Sequence, residues 1–296
     1  MGDTQDRLGP MRLPFIILTP ACVFLGLASG TRDAESVRIF NVVLMLLAAV
    51  SAHISVNAFN EYFDYKSGLD YRTKRTPFSG GSGTLPKRPE LANWTLASAV
   101  VTFLIVSGLG LYFIIISSLG LLPLGILGLF LIYAYTPWLS HHALLCLIAP
   151  GLGFGPVMVM GSSFVLTGAY SWPAFISALV PFFLVSNLLL LNQFPDVDAD
   201  KSIDRSNYPI VIGRRSSIII YIGFLALTYL SILAGVGLQQ LPVFSLLGLA
   251  TLLLAIPVGV GSLKYADDPE KLVPYMAGNV VINLATPVLV GIGLLI

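Results

Sequence analysis

The amino-acid sequence predicts an all-α integral membrane protein, a polytopic bundle of about nine transmembrane helices. Of its 296 residues, 56% are hydrophobic and only 10% are charged, whereas soluble domains carry about 25% charged residues. The mean hydropathy is +0.86. Long apolar runs recur along the whole chain, and each approaches the roughly 20 residues that a helix needs to cross the hydrocarbon layer. These observations predict a helical bundle that has lipid as its solvent.

The apolar runs also predict how the chain is organised. Two connections, at 61–91 and 196–215, are long, and long connections in a compact bundle are usually functional. Residues 1–296 are expected to form one membrane domain, with two related helical halves at about 13–140 and 143–262 and a final helix. The predicted spans are residues 13–30, 37–60, 92–114, 119–139, 143–167, 173–195, 216–236, 241–262 and 272–296.

The distribution of positive charge predicts the orientation. Lysines and arginines concentrate before the first span, in the two long connections, and between the eighth and ninth spans. With nine spans all of these lie on one side, and the opposite side holds only Arg32 and Arg38. Because positive residues accumulate in cytoplasmic loops, we expect a multi-pass protein of the cell membrane with a cytoplasmic N-terminus. The basic residues form no separate domain, so nothing favours nucleic-acid binding.

Two acidic segments stand out from this apolar background, and the first closes the predicted second span. Its polar side chains recur at spacings of three and four residues, at Asn57, Asn60, Glu61 and Asp64. Residues at these spacings share one face of an α-helix. Asp70 follows off the main face.

The second acidic segment closes the predicted sixth span and aligns with the first without gaps. Pro195 is expected to kink this helix or to end it. The match between the segments is short, but an internal duplication would leave two such halves, each delivering an acidic helix end to one cavity. The polar side chains of the segment recur every four residues, at Asn192, Asp196, Asp200 and Asp204.

Carboxylates crowded on one helical face need a positive partner. A charged side chain at the membrane centre costs ~3 kcal/mol on insertion scales, and less at the interface. A single carboxylate at the end of a span is more often a solvated interfacial residue, but two aligned clusters on one side of the membrane favour a site. Oxygen ligands with few histidines favour Mg²⁺, which also takes water and phosphate oxygens.

The two segments resemble the motifs of the UbiA superfamily of membrane prenyltransferases. Asn60-Glu61-x-x-Asp64 is similar to the family's Asn-Asp-x-x-Asp motif after span two, with Glu in place of the usual first Asp. Asp196-x-x-x-Asp200 is similar to the motif after span six. The resemblance implies an all-helical bundle of about nine spans in which both motifs face one cavity on the cytoplasmic side.

The resemblance also implies an activity and a set of site residues. The activity is Mg²⁺-dependent transfer of a polyprenyl group from an allylic prenyl diphosphate to an aromatic acceptor. Direct or water-mediated metal ligands would be Asn60, Glu61, Asp64, Asp196 and Asp200. Catalysis would depend on Asp64, Asp196, Asp200, Lys201 and Arg205. Substrate contacts would come from Asn57, Arg72, Lys74, Tyr135 and Asn192.

The acceptor is less clearly indicated. The pattern from Asn57 to Asp70 and the loop Gly80-Gly81-Ser82-Gly83 resemble the branch that prenylates 1,4-dihydroxy-2-naphthoate in menaquinone biosynthesis. The chain after Tyr135 lacks, however, the acid and the lysine that are common in the family. The alternatives are 4-hydroxybenzoate, homogentisate, a glycerol-phosphate lipid and a porphyrin-type acceptor.

A cation-coupled transporter is the alternative from another class. Transporters also combine many spans, internal repeats and intramembrane carboxylates, but their binding sites lie near the bilayer midplane. Here both acidic clusters lie at the ends of spans, beside two long basic connections. This placement favours an enzyme.

Overall fold

A computed structural model describes residues 6–31, 33–34 and 36–296 of the chain. Arg32, expected on the side opposite the basic connections, lies outside the described residues. The described part is built from helices and their connections, and no strand occurs in it. The all-α prediction is confirmed.

Nine helical segments within the described residues follow the order of the predicted spans. We label them α1 to α9, and their bounds are Leu18–Gly30, Ile39–Ser67, Pro89–Ile116, Leu119–Ala134, Ala143–Thr167, Trp172–Asn192, Arg214–Gly237, Val243–Lys264 and Pro269–Leu295.

The lengths of these segments support seven or eight spans. Seven of them are long and apolar enough to cross a membrane, and α1 with the preceding Asp6–Phe15 forms a pair bent by 43° that gives an eighth if it is one span. The remaining segment, α4, is apolar but shorter. At 1.5 Å per residue it reaches only about 24 Å, less than the roughly 30 Å hydrocarbon layer. The predicted count of nine therefore stays a prediction.

The central helix of the bundle is α6. In its most apolar stretch 72% of the residues are buried inside the protein, against 11% for α3. Glycines of α5 allow α6 to approach closely: a Cβ atom on Gly151 would lie 2.2 Å from the Phe182 carbonyl oxygen, and one on Gly155 would lie 2.4 Å from that of Ala178. Small residues of this kind let helix backbones approach inside membranes. Helices α1, α5, α7 and α9 thus pack around α6, whereas α3 faces lipid.

The two prolines of α5 give that helix an irregular backbone. Pro150 and Pro156 lack the N–H group of the helical hydrogen-bond ladder, and the stretch Gly153–Met160 is π-helical. Single π-helical turns are frequent at functional sites.

The ends of α2 and α6 differ from each other. α2 stays helical to Ser67 and is capped by Gly68, which has a positive φ of 79°. α6 ends at Asn192, three residues before Pro195, and a turn leads into the short helix Val197–Lys201. The break expected at Pro195 is therefore present, and because of it the polar residues of the second acidic segment do not share one helical face, as their spacing had suggested. Asp204 is exposed and has a positive φ of 59°.

The close approach of α5 and α6 can be tested with Gly151→Val. The added side chain would collide with the Phe182 carbonyl oxygen, so we expect the free energy of unfolding to fall by about 1–3 kcal/mol, the usual cost of overpacking. The measurement is the thermal unfolding midpoint in detergent. Gly153→Ala is the matched control, since a Cβ atom there meets no atom within 4 Å; equal midpoints for the two variants would contradict the packing.

Candidate active site

The two acidic motifs meet at Arg205. Its guanidinium donates hydrogen bonds to Asp200 Oδ1 at 3.0 Å and to Asp64 Oδ1. All three side chains are largely buried, with 12% of Arg205, 9% of Asp64 and 6% of Asp200 exposed. The positive charge expected between the two acidic clusters is thus present as an arginine of the chain itself.

Two amides hold the outer oxygens of these carboxylates. Asn60 Nδ2 donates to Asp64 Oδ2 at 3.0 Å, and Asn207 Nδ2 donates to Asp200 Oδ2 at 2.9 Å. Burial raises the pKa of Asp200, although Arg205 opposes this shift. Burial alone would lower the pKa of Arg205, but the two carboxylates raise it above its ordinary value. Arg205 is therefore a permanent cation in the site.

A second arginine holds the other acid of the first motif. Arg12 donates from Nε to Glu61 Oε1 and from Nη2 to Asn60 Oδ1, both at 2.9 Å. Ser82 donates from its backbone N–H to Glu61 Oε1 at 2.7 Å and from its hydroxyl to Oε2 at 2.8 Å. Glu61 thus contacts both the chain before α1 and the glycine-rich loop after α2.

A polar cavity of about 110 Å³ lies between the two motifs. Three oxygens of its lining have no hydrogen-bond partner: Asp70 Oδ2, Asn192 Oδ1 and Asp196 Oδ1. The other oxygen of Asp196 accepts the N–H of Gly80 at 3.1 Å. Burial raises the pKa of both Asp70 and Asp196 to about 7. Buried acidic oxygens without a donor are costly, so this cavity favours a cation.

The donor set fits Mg²⁺ when the ion brings further oxygen ligands. Among the described residues, no group of three or more His, Cys, Asp or Glu side chains is arranged to hold a metal ion. Mg²⁺ usually binds to one or two carboxylates and takes its remaining ligands from water and substrate phosphates. The free oxygens of Asp70, Asn192 and Asp196 suit that mode of binding.

An apolar cavity of about 460 Å³ adjoins the polar one. It lies between α2, α3, α4 and α5, and its wall includes Phe113, Ile132 and Phe154. Both cavities share four lining residues, Arg12, Asn60, Tyr135 and Leu189. The site as a whole is therefore amphipathic, with a charged end and a long apolar end.

The apolar cavity reaches the surface of the bundle that faces lipid. Leu111 of α3 and Ile126 of α4 line the cavity, and each is 59% exposed. Gly110 and Gly125, on the same two helices, also line it, and a Cβ atom on either would meet no atom within 4 Å. The gap between α3 and α4 is thus an opening towards the bilayer.

The structure brings most of the predicted site residues together. Those that line one or both cavities are Asn57, Asn60, Asp64, Tyr135, Asn192, Asp196, Asp200 and Arg205. Glu61 lies behind the cavity wall and lines neither cavity.

Three predicted basic residues lie outside both cavities. Lys74 forms an exposed ion pair with Glu270 at 2.9 Å, Arg72 donates to the Ser202 carbonyl oxygen at 3.1 Å, and Lys201 is exposed. Their predicted catalytic and substrate-binding roles stay predictions that this geometry does not favour.

Sequence reasoning missed several residues of the site. In the sequence Arg12 is only one of the charges that predict orientation, because its partner Glu61 lies 49 positions away and no local pattern links them. Asp70 and Ser82 do belong to the acidic segment and the glycine-rich loop, yet their contacts depend on how the loop folds back. Asn207 carried no signal at all.

The arginine between the motifs can be tested with Arg205→Met. This change leaves Asp64 and Asp200 buried without a cation, and breaking a buried ion pair from one side costs about 3–5 kcal/mol. We expect a lower thermal unfolding midpoint in detergent at pH 8. Adding Asp64→Asn removes one of the two stranded charges and should restore part of the loss; a double variant no more stable than the single one would contradict the pairing.

Comparison with known proteins identifies the family. The model of the UbiA prenyltransferase family matches residues 17–281. The chain is 28% identical over 261 residues to the 1,4-dihydroxy-2-naphthoate octaprenyltransferase of Bacillus subtilis (strain 168). The aligned region covers 85% of this chain and 80% of that relative.

Solved structures show the same fold. A UbiA homolog from Aeropyrum pernix K1, solved in its apo form, superposes with a TM-score of 0.69 at 20% identity, covering 94% of this chain and 96% of that one. A UbiA homolog from Archaeoglobus fulgidus bound to DMAPP and Mg²⁺ superposes with a TM-score of 0.61 at 14% identity, covering 98% of this chain and 99% of that one. The chain is a membrane prenyltransferase that belongs to the UbiA prenyltransferase family.

Proposed function

We propose that the protein transfers a polyprenyl group from an allylic prenyl diphosphate to 1,4-dihydroxy-2-naphthoate, with Mg²⁺ as its cofactor. The observation that carries the proposal is the junction of a charged cavity with an apolar cavity that opens to lipid. A prenyl diphosphate has the same two parts. The acceptor is proposed from the Bacillus subtilis relative, whose name specifies that substrate.

The donor would bind with its diphosphate in the polar cavity and its tail in the apolar one. Burying apolar surface stabilises the bound tail by about 25 cal/mol per Å², and the opening between α3 and α4 leaves room for a tail longer than the cavity. The allylic carbon then lies at the junction, near Asn60 and Tyr135. An aromatic acceptor can reach it there, next to the cavity-lining side chains Asn57, His53 and Phe154.

The chemical step requires that the diphosphate leave with the bonding electrons of the allylic carbon. Mg²⁺ held by Asp196, Asp70 and Asn192, with Asp64 and Asp200 beside it, would neutralise the charge that develops on the phosphate oxygens. Arg205 adds a permanent positive charge on the same side, and its Nε has no hydrogen-bond partner. Arg12 lines the junction of the two cavities. Cations fixed in place before the reaction stabilise the leaving group without reorganisation.

The two ends of the donor would reach the site from different surroundings. We propose that the polar cavity faces the cytoplasm, as the positive residues of the two long connections indicate, while the tail enters from the bilayer. The membership of the UbiA family supports an enzyme and leaves the transporter alternative without support.

The assay uses purified protein in detergent with Mg²⁺ and geranylgeranyl diphosphate. The acceptors are 1,4-dihydroxy-2-naphthoate, 4-hydroxybenzoate, homogentisate and a glycerol-phosphate lipid, and the products are read by mass spectrometry. We expect a prenylated naphthalenoid that lacks the carboxyl mass, and no product with EDTA. Asp200→Asn should reduce turnover by about 10² or more, because it removes the carboxylate that holds the Arg205 cation in place for the leaving group.

Each outcome of this assay has a distinct meaning. A product from another acceptor would keep the mechanism and replace the proposed substrate. Product formation that persists in EDTA would contradict the metal assignment. Neither product nor released diphosphate, with donors of several chain lengths, would overturn the proposed function.

The position of the tail can be tested with Gly110→Phe. The new side chain would point into the open space of the apolar cavity, so we expect the KM for geranylgeranyl diphosphate to rise about tenfold, equivalent to roughly 1.4 kcal/mol. The KM for dimethylallyl diphosphate should change little. Gly108→Phe is the matched control on the same helix, since Gly108 has equal space but does not line the cavity. Equal effects of both variants, or equal effects on both donors, would contradict this position of the tail.

A further inference from the structure

We propose that Glu61 is a positioning residue that anchors the glycine-rich loop over the polar cavity, and that it is not a metal ligand. The proposal rests on the proposed function, because the role of Glu61 decides which acidic groups are left to bind the metal ion that would accompany the diphosphate. It revises the role that the position of Glu61 in the first acidic motif implied.

Three hydrogen bonds engage both oxygens of the Glu61 carboxylate. Oε1 accepts hydrogen bonds from Arg12 Nε and the Ser82 amide, and Oε2 accepts from the Ser82 hydroxyl. Arg12 Nη2 also lies close to the same oxygen, 2.8 Å from Oε1. The side chain of Glu61 is 0% exposed. A carboxylate has about four sites at which it accepts hydrogen bonds. These contacts leave little for a metal ion.

The position of Glu61 points the same way. It lines neither cavity, whereas Asp64, Asp70 and Asp196 line the polar one. The backbone of Gly81 lies directly against the carboxylate: a Cβ atom there would be 3.1 Å from Glu61 Oε1 and equally close to Asp70 Oδ1. Gly81 itself lines the polar cavity, so the loop, and not Glu61, faces the cavity at this point.

The loop in turn joins the two acidic motifs. Ser82 contacts Glu61 of the first motif, and Gly80 donates its N–H to Asp196 of the second. Gly80, Gly81 and Gly83 all have positive φ, a backbone that glycine adopts at a high cost in conformational entropy. Hydrogen bonds within the loop join Thr76 to Ser79 and Arg75 to Gly80, whereas Ser82 needs an anchor from outside the loop. Glu61 supplies that anchor and connects it through Arg12 to the chain before α1.

The length of the side chain explains why a glutamate stands here. Aspartate would withdraw the carboxylate by about 1.5 Å, one carbon–carbon bond, and the hydrogen bonds to Ser82 would be lost. The departure from the family's usual aspartate is thus the feature that makes this contact possible.

The test separates the two roles by comparing Glu61→Asp with Glu61→Gln. Aspartate keeps the charge that a metal ligand needs but is too short for the anchor, while glutamine keeps the length and loses the charge. One readout is hydrogen–deuterium exchange of residues 79–84 in metal-free protein in detergent. The other is the affinity for Mn²⁺ with inorganic diphosphate, followed by electron paramagnetic resonance.

We expect Glu61→Asp to accelerate exchange of the loop about tenfold or more, because it loses both hydrogen bonds to Ser82, and Ser82→Ala to accelerate it as well, because it loses the charge-assisted bond from the hydroxyl. Glu61→Gln should accelerate it less and leave the Mn²⁺ affinity unchanged. Asp196→Asn should weaken Mn²⁺ binding by about tenfold or more. Asp198→Asn is the matched control, since Asp198 is an exposed acid next to the second motif, and both readouts should stay unchanged.

Two results would overturn the proposal: a loss of Mn²⁺ affinity in Glu61→Gln as large as that in Asp196→Asn, or unchanged loop exchange in both Glu61→Asp and Ser82→Ala. Ser82→Ala leaves α2 intact, so it tests the anchor even if the Glu61 variants fail to fold. Absence of Mn²⁺ binding in the unaltered protein would count against the proposed function, while the exchange rates would still decide the role of Glu61.

Discussion

The site depends on one interaction, the burial of Arg205 between Asp64 and Asp200. Asp64 lies in α2, 141 positions from Arg205, whereas Asp200 lies only five positions from Arg205, in the segment after α6. Two carboxylates this deeply buried repel each other unless a cation lies between them, and removing one partner of a buried ion pair is strongly destabilising. The ends of α2 and α6 are therefore held at one place, and the polar cavity forms beside them.

The electrostatics divides the acids of the site into two groups. Glu61, Asp64 and Asp200 each have an arginine as a partner. Asp70 and Asp196 have unpartnered oxygens, and burial raises the pKa of both to about 7. The first group is already paired with cations of the chain, while the cavity-lining acids of the second group have oxygens without a partner. A divalent ion that arrives with a diphosphate would supply it.

The apolar half of the site follows from how the helices pack in lipid. Around α6 the helices approach closely because glycines of α5 leave no side chain in the way. Around α4 they do not, and glycines of α3 and α4 with empty space beside them leave a cavity and an opening. Glycine therefore has two effects in this bundle. Where a helix backbone lies opposite, as between α5 and α6, it permits close packing; where no atom lies opposite, as on α3 and α4, it leaves a cavity.

The sequence by itself determined the all-α class, the order of the nine helical segments and most residues of the polar cavity. These features depend on local patterns: apolar runs of fixed length, and acids at helical spacing beside the ends of spans. Only the tertiary structure decided that Arg205 lies between Asp64 and Asp200, that Lys74 and Lys201 lie outside the cavities, and that Arg12 and Ser82 hold Glu61. Those outcomes depend on contacts between distant parts of the chain, and a positive or acidic residue has the same appearance in a sequence whether it faces solvent, a buried partner or a cavity.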